Sequence, residues 1–135
     1  MSFDAELQRA IWDRLKADDA VGALAGDRIH DNVPLNAPLP YVGIGERQVL
    51  PTGSDCLDGA DVFMDIHCYA GSNGRVGPAG RLAGAVTAAL DGAHLDLGDY
   101  GWAELSARYR AFLDGDGATG HGVVTVEAVI VREED

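Results

Sequence analysis

Apolar residues recur at Phe3, Leu7, Ala10, Ile11 and Leu15, the three- and four-residue steps of one helical face. The pattern predicts a first helix with Ser2 as its N-cap. Asp4 and Glu6 fall at its positive end, and Arg14 and Lys16 at its negative end. Asp18 or Asp19 then caps a short second helix over Ala20 to Ala25, which Gly26 stops. From Ile29 the period is lost. Pro34, Pro38 and Pro40 forbid a helix interior or a central strand, so the stretch from Ile29 to Pro40 is expected to be an extended surface connector.

The period then changes to two. Tyr41 to Glu46 reads as a strand, with Tyr41, Gly43 and Gly45 opposite Val42 and Ile44, and its glycines suggest that another backbone approaches closely. Residues 47–59 mix turn formers and acids without a sustained period, which predicts a loop or a loosely paired hairpin arm. In Asp61 to Tyr69, Val62, Met64, Ile66 and Cys68 alternate with Phe63, Asp65, His67 and Tyr69, and the all-apolar register should face the core. A glycine-rich link, Gly71 to Gly77, leads into a third helix from Pro78 to Leu90, with Leu82, Val86, Ala89 and Leu90 on one face. Trp102 to Phe112 and Val123 to Val131 form a closing β-hairpin with a projecting tip. The order ααββαββ predicts an α+β fold: a mainly antiparallel β-sheet with helices packed on one face, in a single domain spanning 1–135.

Charge narrows the partners. The 135 residues hold 22 Asp plus Glu against 10 Lys plus Arg, a formal net charge of −12, and Lys16 is the one lysine. Such a surface repels phosphate backbones and anionic membranes, so tight nucleic-acid binding by the monomer and membrane adhesion are both disfavoured. The chain starts without a basic n-region or an apolar h-region, and no apolar run near a helix approaches the ~20 residues of a membrane span, so cytoplasmic synthesis is expected. Cys56 and Cys68 then read as thiols rather than a disulfide framework.

Converging chemical groups are scarce. His67 and Cys68 are neighbours in a strand and point to opposite faces, which argues against a nucleophile–base pair. His30, His67, His94 and His121 lack metal-ligand spacing, and each reads as a surface or hydrogen-bonded residue. The Gly71 to Gly80 segment has Arg75 but lacks the lysine and hydroxyl of a phosphate loop. Asp55, Asp58 and Asp61, and the pair Asp114 and Asp116, do not complete a calcium loop. They read as solvated loop charge, or as a surface where negative charge is useful.

Across nearly its whole length the chain resembles the tail-terminator, or tail-completion, proteins of long-tailed phages and gene transfer agents. The resemblance is carried by Asp19-Ala20-Val21-Gly22-Ala23-Leu24-Ala25-Gly26-Asp27-Arg28-Ile29, Val33-Pro34 and Ala37-Pro38-Leu39-Pro40-Tyr41-Val42-Gly43-Ile44-Gly45-Glu46. It continues through Asp65-Ile66-His67-Cys68-Tyr69, the helix ending Ala88-Ala89-Leu90, and Asp116-Gly117 before His121-Gly122. The arginine-rich, lysine-poor composition suits a GC-rich bacterial host and favours the gene transfer agent subtype. The resemblance implies a hexameric ring, made in the bacterial cytoplasm and assembled at the head–tail junction. This ring ends the tail tube, meets the tail tube protein and the head-side connector or stopper, and lets DNA pass without specific binding. It implies no catalytic residue, no cofactor and no metal.

On that reading Asp55, Asp58, Asp61, Asp114 and Asp116 line the DNA channel, and an arm carrying Val49, Leu50 and Leu57 touches the tube. Three other readings compete: the neighbouring head–tail stopper, a small metal-dependent hydrolase using the aspartates and histidines, and an acidic mimic of DNA.

Overall fold

The computed structural model describes residues 3–31, 33–51, 60–71 and 73–131. Helix α1 (Phe3–Ala17) carries Asp4 and Glu6 in its first turn and Arg14 and Lys16 in its last. Leu7, Ile11 and Leu15, four residues apart, are fully buried. Helix α2 (Asp19–Ala25) is capped by Asp18, whose carboxylate accepts from Val21 N–H at 3.0 Å, and it ends at Gly26 with φ +61°. Side chains of α1 fasten this N-terminal unit. Trp12 Nε1–H donates to Ile29 C=O at 3.0 Å, Arg14 donates to Ala89 C=O, and Lys16 donates to Asp27 C=O at 2.8 Å. The expected cap Ser2 lies outside the described residues.

Six strands form one sheet in the order β1-β2-β3-β6-β5-β4. They are β1 (Ile29–His30), β2 (Tyr41–Pro51), β3 (Ala60–Tyr69), β4 (His94–Asp96), β5 (Trp102–Leu113) and β6 (Gly120–Val131). Among the described residues only the β1–β2 pair is parallel. The sheet and its helices give the expected α+β fold.

Three segments refine the expectation. Ile29 and His30 do not belong to the connector; they pair with Val42 and Gly43, and Ile29 is buried. Of the two states expected for residues 47–59, residues 47–51 take the hairpin arm rather than the loop: they are the second half of β2, fully paired with residues 60–64. A bulge at Gly45 and Glu46 sets two residues opposite one, so the helix-facing phase moves from Val42 and Ile44 to Arg47, which is exposed and paired with Asp4, and half-buried Val49. Short β4 and a 3₁₀ turn, Gly98–Tyr100, occupy what the sequence left unassigned.

Helix α3 (Gly77–Leu90), with Pro78 in its first turn, lies along β3, β6 and β5 and buries Ala79, Leu82, Ala83, Val86, Ala89 and Leu90. Its alanines come so close to the sheet that a Cβ on Gly122 would stand 2.7 Å from Ala83 Cβ. Helices α1 and α2 pack against α3 on the same side. Val62, Met64, Ile66 and Cys68 of β3 are fully buried beneath the helices, in the predicted register. No described helix is long and apolar enough to cross a membrane.

Candidate functional site

Among the described residues no helix covers the opposite face of the sheet, and strand register sorts its side chains into rows. At one end Leu50, Asp61, Val129, Glu104 and His94 align across β2, β3, β6, β5 and β4. Gln48, Phe63, Glu127 and Ser106 follow, then Asp65, Thr125 and Arg108, then Gly43, His67, Val123 and Arg110. The far row is Tyr41, Tyr69, His121 and Phe112. Leu50 and Val129 are exposed at the first end, with Val131 beside them.

The aromatic end holds a polar chain. A carboxylate only accepts, so His121 Nδ1–H donates to Asp114 Oδ1 at 2.7 Å. His121 Nε2 and His67 Nδ1 share a hydrogen bond at 2.8 Å, whose donor is set by the tautomers of the two rings. Tyr69 stacks on His121 with ring centroids 4.2 Å apart, Tyr41 stacks on Tyr69 at 5.1 Å, and Phe112 tilts against His121 at 4.9 Å. Burial pushes the His67 pKa below its ordinary value, and neighbouring His121 and Arg110 push the same way against Glu46 and Asp65. Burial also raises both tyrosines, helped by the negative charge of Asp114. The His67 ring requires Gly45, where a Cβ would stand 2.7 Å from His67 Cδ2. Gly43 is likewise crowded by the side chain of Val33. At Gly43 the close approach is made by a side chain; at Gly45 the second backbone expected from the sequence is present beside the His67 ring, the Asp65 carbonyl oxygen standing 3.0 Å from where a Cβ would be.

The hydrogen-bond chain ends on a carboxylate at the root of the hairpin tip and so ties the tip to β3. Cys68 faces the core, with burial pushing its thiol up to about 12, and stands on the side of β3 away from His67. Among the described residues no group of three His, Cys, Asp or Glu could hold a metal ion.

The sequence-predicted acids are not brought together. Asp61 is half-buried between Leu50 and Val129, at the opposite end of β3 from Tyr69, next to which the hairpin tip begins. Asp114 is no freely solvated charge, because His121 holds it. Asp116 is exposed at the tip and accepts from Ala118 N–H at 2.8 Å, Thr119 N–H at 2.9 Å and Thr119 Oγ1–H at 2.7 Å. Those bonds hold its carboxyl down at about 2. Val49 is half-buried against the core, whereas Leu50 is 43% exposed. Asp55, Cys56, Leu57 and Asp58 lie outside the described residues. The glycine-rich link is a strand-to-helix turn that also pins the tip, through Gly74 N–H to Ala118 C=O at 2.9 Å and Gly120 N–H to Gly71 C=O at 3.1 Å.

Residues 9–131 match the family described as tail completion protein gp17. The chain belongs to the tail completion family. Among solved structures it is similar to a chain of the virion of a native gene transfer agent particle, with a TM-score of 0.85 and 27% identity. That likeness covers 96% of this chain and 98% of the other. No curated protein matches it. A tail completion protein is a structural component of a phage-like particle.

Proposed function

We propose that six copies close head to tail into a ring at the head-proximal end of a tail tube, ending its growth and seating the head-side connector. The observation that carries this reading is the end-to-end likeness to a chain built into a gene transfer agent virion. Physics supports it: a heterologous contact whose rotation divides a full turn closes with a single pair of patches. The ring works without making or breaking a bond, and needs neither cofactor nor metal.

Six copies at −12 each carry roughly −72, which opposes sticking of DNA, itself charged about every 1.7 Å of axis. Asp55, Asp58, Asp61, Asp114 and Asp116 line the bore on this reading. Asp61 and Asp114 lie toward opposite ends of one sheet face, the eight steps from Asp61 to Tyr69 alone spanning roughly 26 Å at 3.3 Å per residue, so the strands run along the bore on this reading. The arm over 47–59 meets the tube protein through Leu50 and Leu57, while Val49 anchors its base. The protein is made in the bacterial cytoplasm and joins the particle at the head–tail junction. A reconstruction of the intact particle tests this: it should show six copies around the axis at that junction with these acids facing inward. Copies placed along the tube or at its distal tip would overturn it.

A further inference from the structure

On the ring reading the helix-free face lines the bore and the strands run along it. The two lateral edges of the sheet then face the neighbouring copies, β5 with β4 on one side and β1 with β2 on the other. Edge β5 is open near its end. It pairs with β6 from Trp102 to Leu113, whereas β4 covers it only from Trp102 to Glu104. The turn after α3 closes two further positions: Leu105 N–H donates to Ala93 C=O at 2.9 Å, and Ala107 N–H to Asp91 Oδ1 at 3.0 Å. Alternate residues of an antiparallel strand point their amides the same way, so Tyr109, Ala111 and Leu113 also point theirs off the sheet. Among the described residues none of these three amides has an acceptor. Native proteins cover or blunt such an edge, yet this stretch has no proline and no bulge, and Tyr109 is 49% exposed.

Charge says what fits there. In a chain of net charge −12, Leu105 to Leu113 holds no acid and two exposed arginines, Arg108 and Arg110, without an ion pair among the described residues. The far edge has the opposite sign. Exposed Asp27 and Asp31 bracket β1; Arg9 and Arg47 lie near Asp31, and Arg47 is engaged by Asp4. Ile29 C=O is already held by Trp12, so β1 offers side chains rather than a further ladder. Register sets the heights. One row runs through His30, Gly43, His67, Val123 and Arg110, so the next step puts Asp31 level with Tyr109, between Arg108 and Arg110. Rotation about the bore axis leaves a row at its height, and so carries Asp31 of one copy to Tyr109 of its neighbour. The same edge already takes a carboxylate from its own chain in this way, where Asp91 accepts from the Ala107 amide.

We propose that the β5 edge of one copy seats against the β1 flank of the next, with Asp31 accepting from the Tyr109 amide and paired with Arg108 and Arg110. The contact rests on the ring reading above and names its subunit interface. Charge reversal in whole particles tests it. Asp31→Arg and Arg108→Glu should each lower the yield of complete particles about tenfold, and the two together should restore it to within about threefold of the parent. Single variants that assemble normally, or a double variant worse than either, overturn the contact. A second measurement avoids charge altogether: Asp31→Cys with Tyr109→Cys, oxidised gently in assembled particles, should give a ladder of cross-linked chains up to six, absent from either single variant. Sixfold rings in the parent particle with no ladder overturn the contact alone. Parent particles without a ring at the junction overturn both readings.

Discussion

At the scale of single residues, the His67–His121–Asp114 chain is the feature with the clearest consequence. The folded state favours neutral His67, because burial and two cationic or titratable neighbours, Arg110 and His121, outweigh Glu46 and Asp65. In the unfolded chain this histidine titrates near 6.5. Between the lowered folded value and 6.5 the unfolded state binds more protons, so the contribution of His67 is complete above that window and is lost as pH falls through it. Urea unfolding should therefore show stability declining from pH 7.5 to 5, with a shallower decline in His67→Gln. Equal slopes in variant and parent would remove the assignment. Sequence alone did not reveal this chain. Its members lie 54 and 7 residues apart, and alternation in β3 fixes which face His67 takes but not its partner. The partner follows from the Tyr69–His121 register, which the long hairpin connector left open.

Among the elements, legibility followed period. Fifteen residues of α1 and the unbroken alternation of β3 repeat their signal several times, so both emerge from the pattern. Strand β1, with two residues, and β4, with three, are too short to show a period at all. Strand β2 has length but changes phase at its bulge, which is why Arg47 to Pro51 read as a loop or a loose arm while Val49 turned inward and Leu50 outward. That inversion separates two roles. Leu50→Asp should move the unfolding free energy by less than about 0.5 kcal/mol while impairing tail closure. Val49→Ala should cost about 1 kcal/mol through lost core packing. Denaturant titration with tail imaging checks both, and normal tails in Leu50→Asp would exclude that residue from the tube contact.

For the whole molecule, one helix-covered face supplies the core, while among the described residues the other face carries no helix and β1 pairs with β2 only at Val42 and Gly43. The acid excess is legible in composition, but its arrangement is not, because Asp61 and Asp114 take opposite ends of one face only once β3, β6 and β5 are in register. Family membership and the gene transfer agent likeness fix the setting as a phage-like particle. On the ring proposal, this chain stops the tube at its proper length. Electron microscopy of particles from a strain lacking the gene measures that directly: overlong or headless tails are predicted, and tails of ordinary length, joined to heads or lying free, would contradict it.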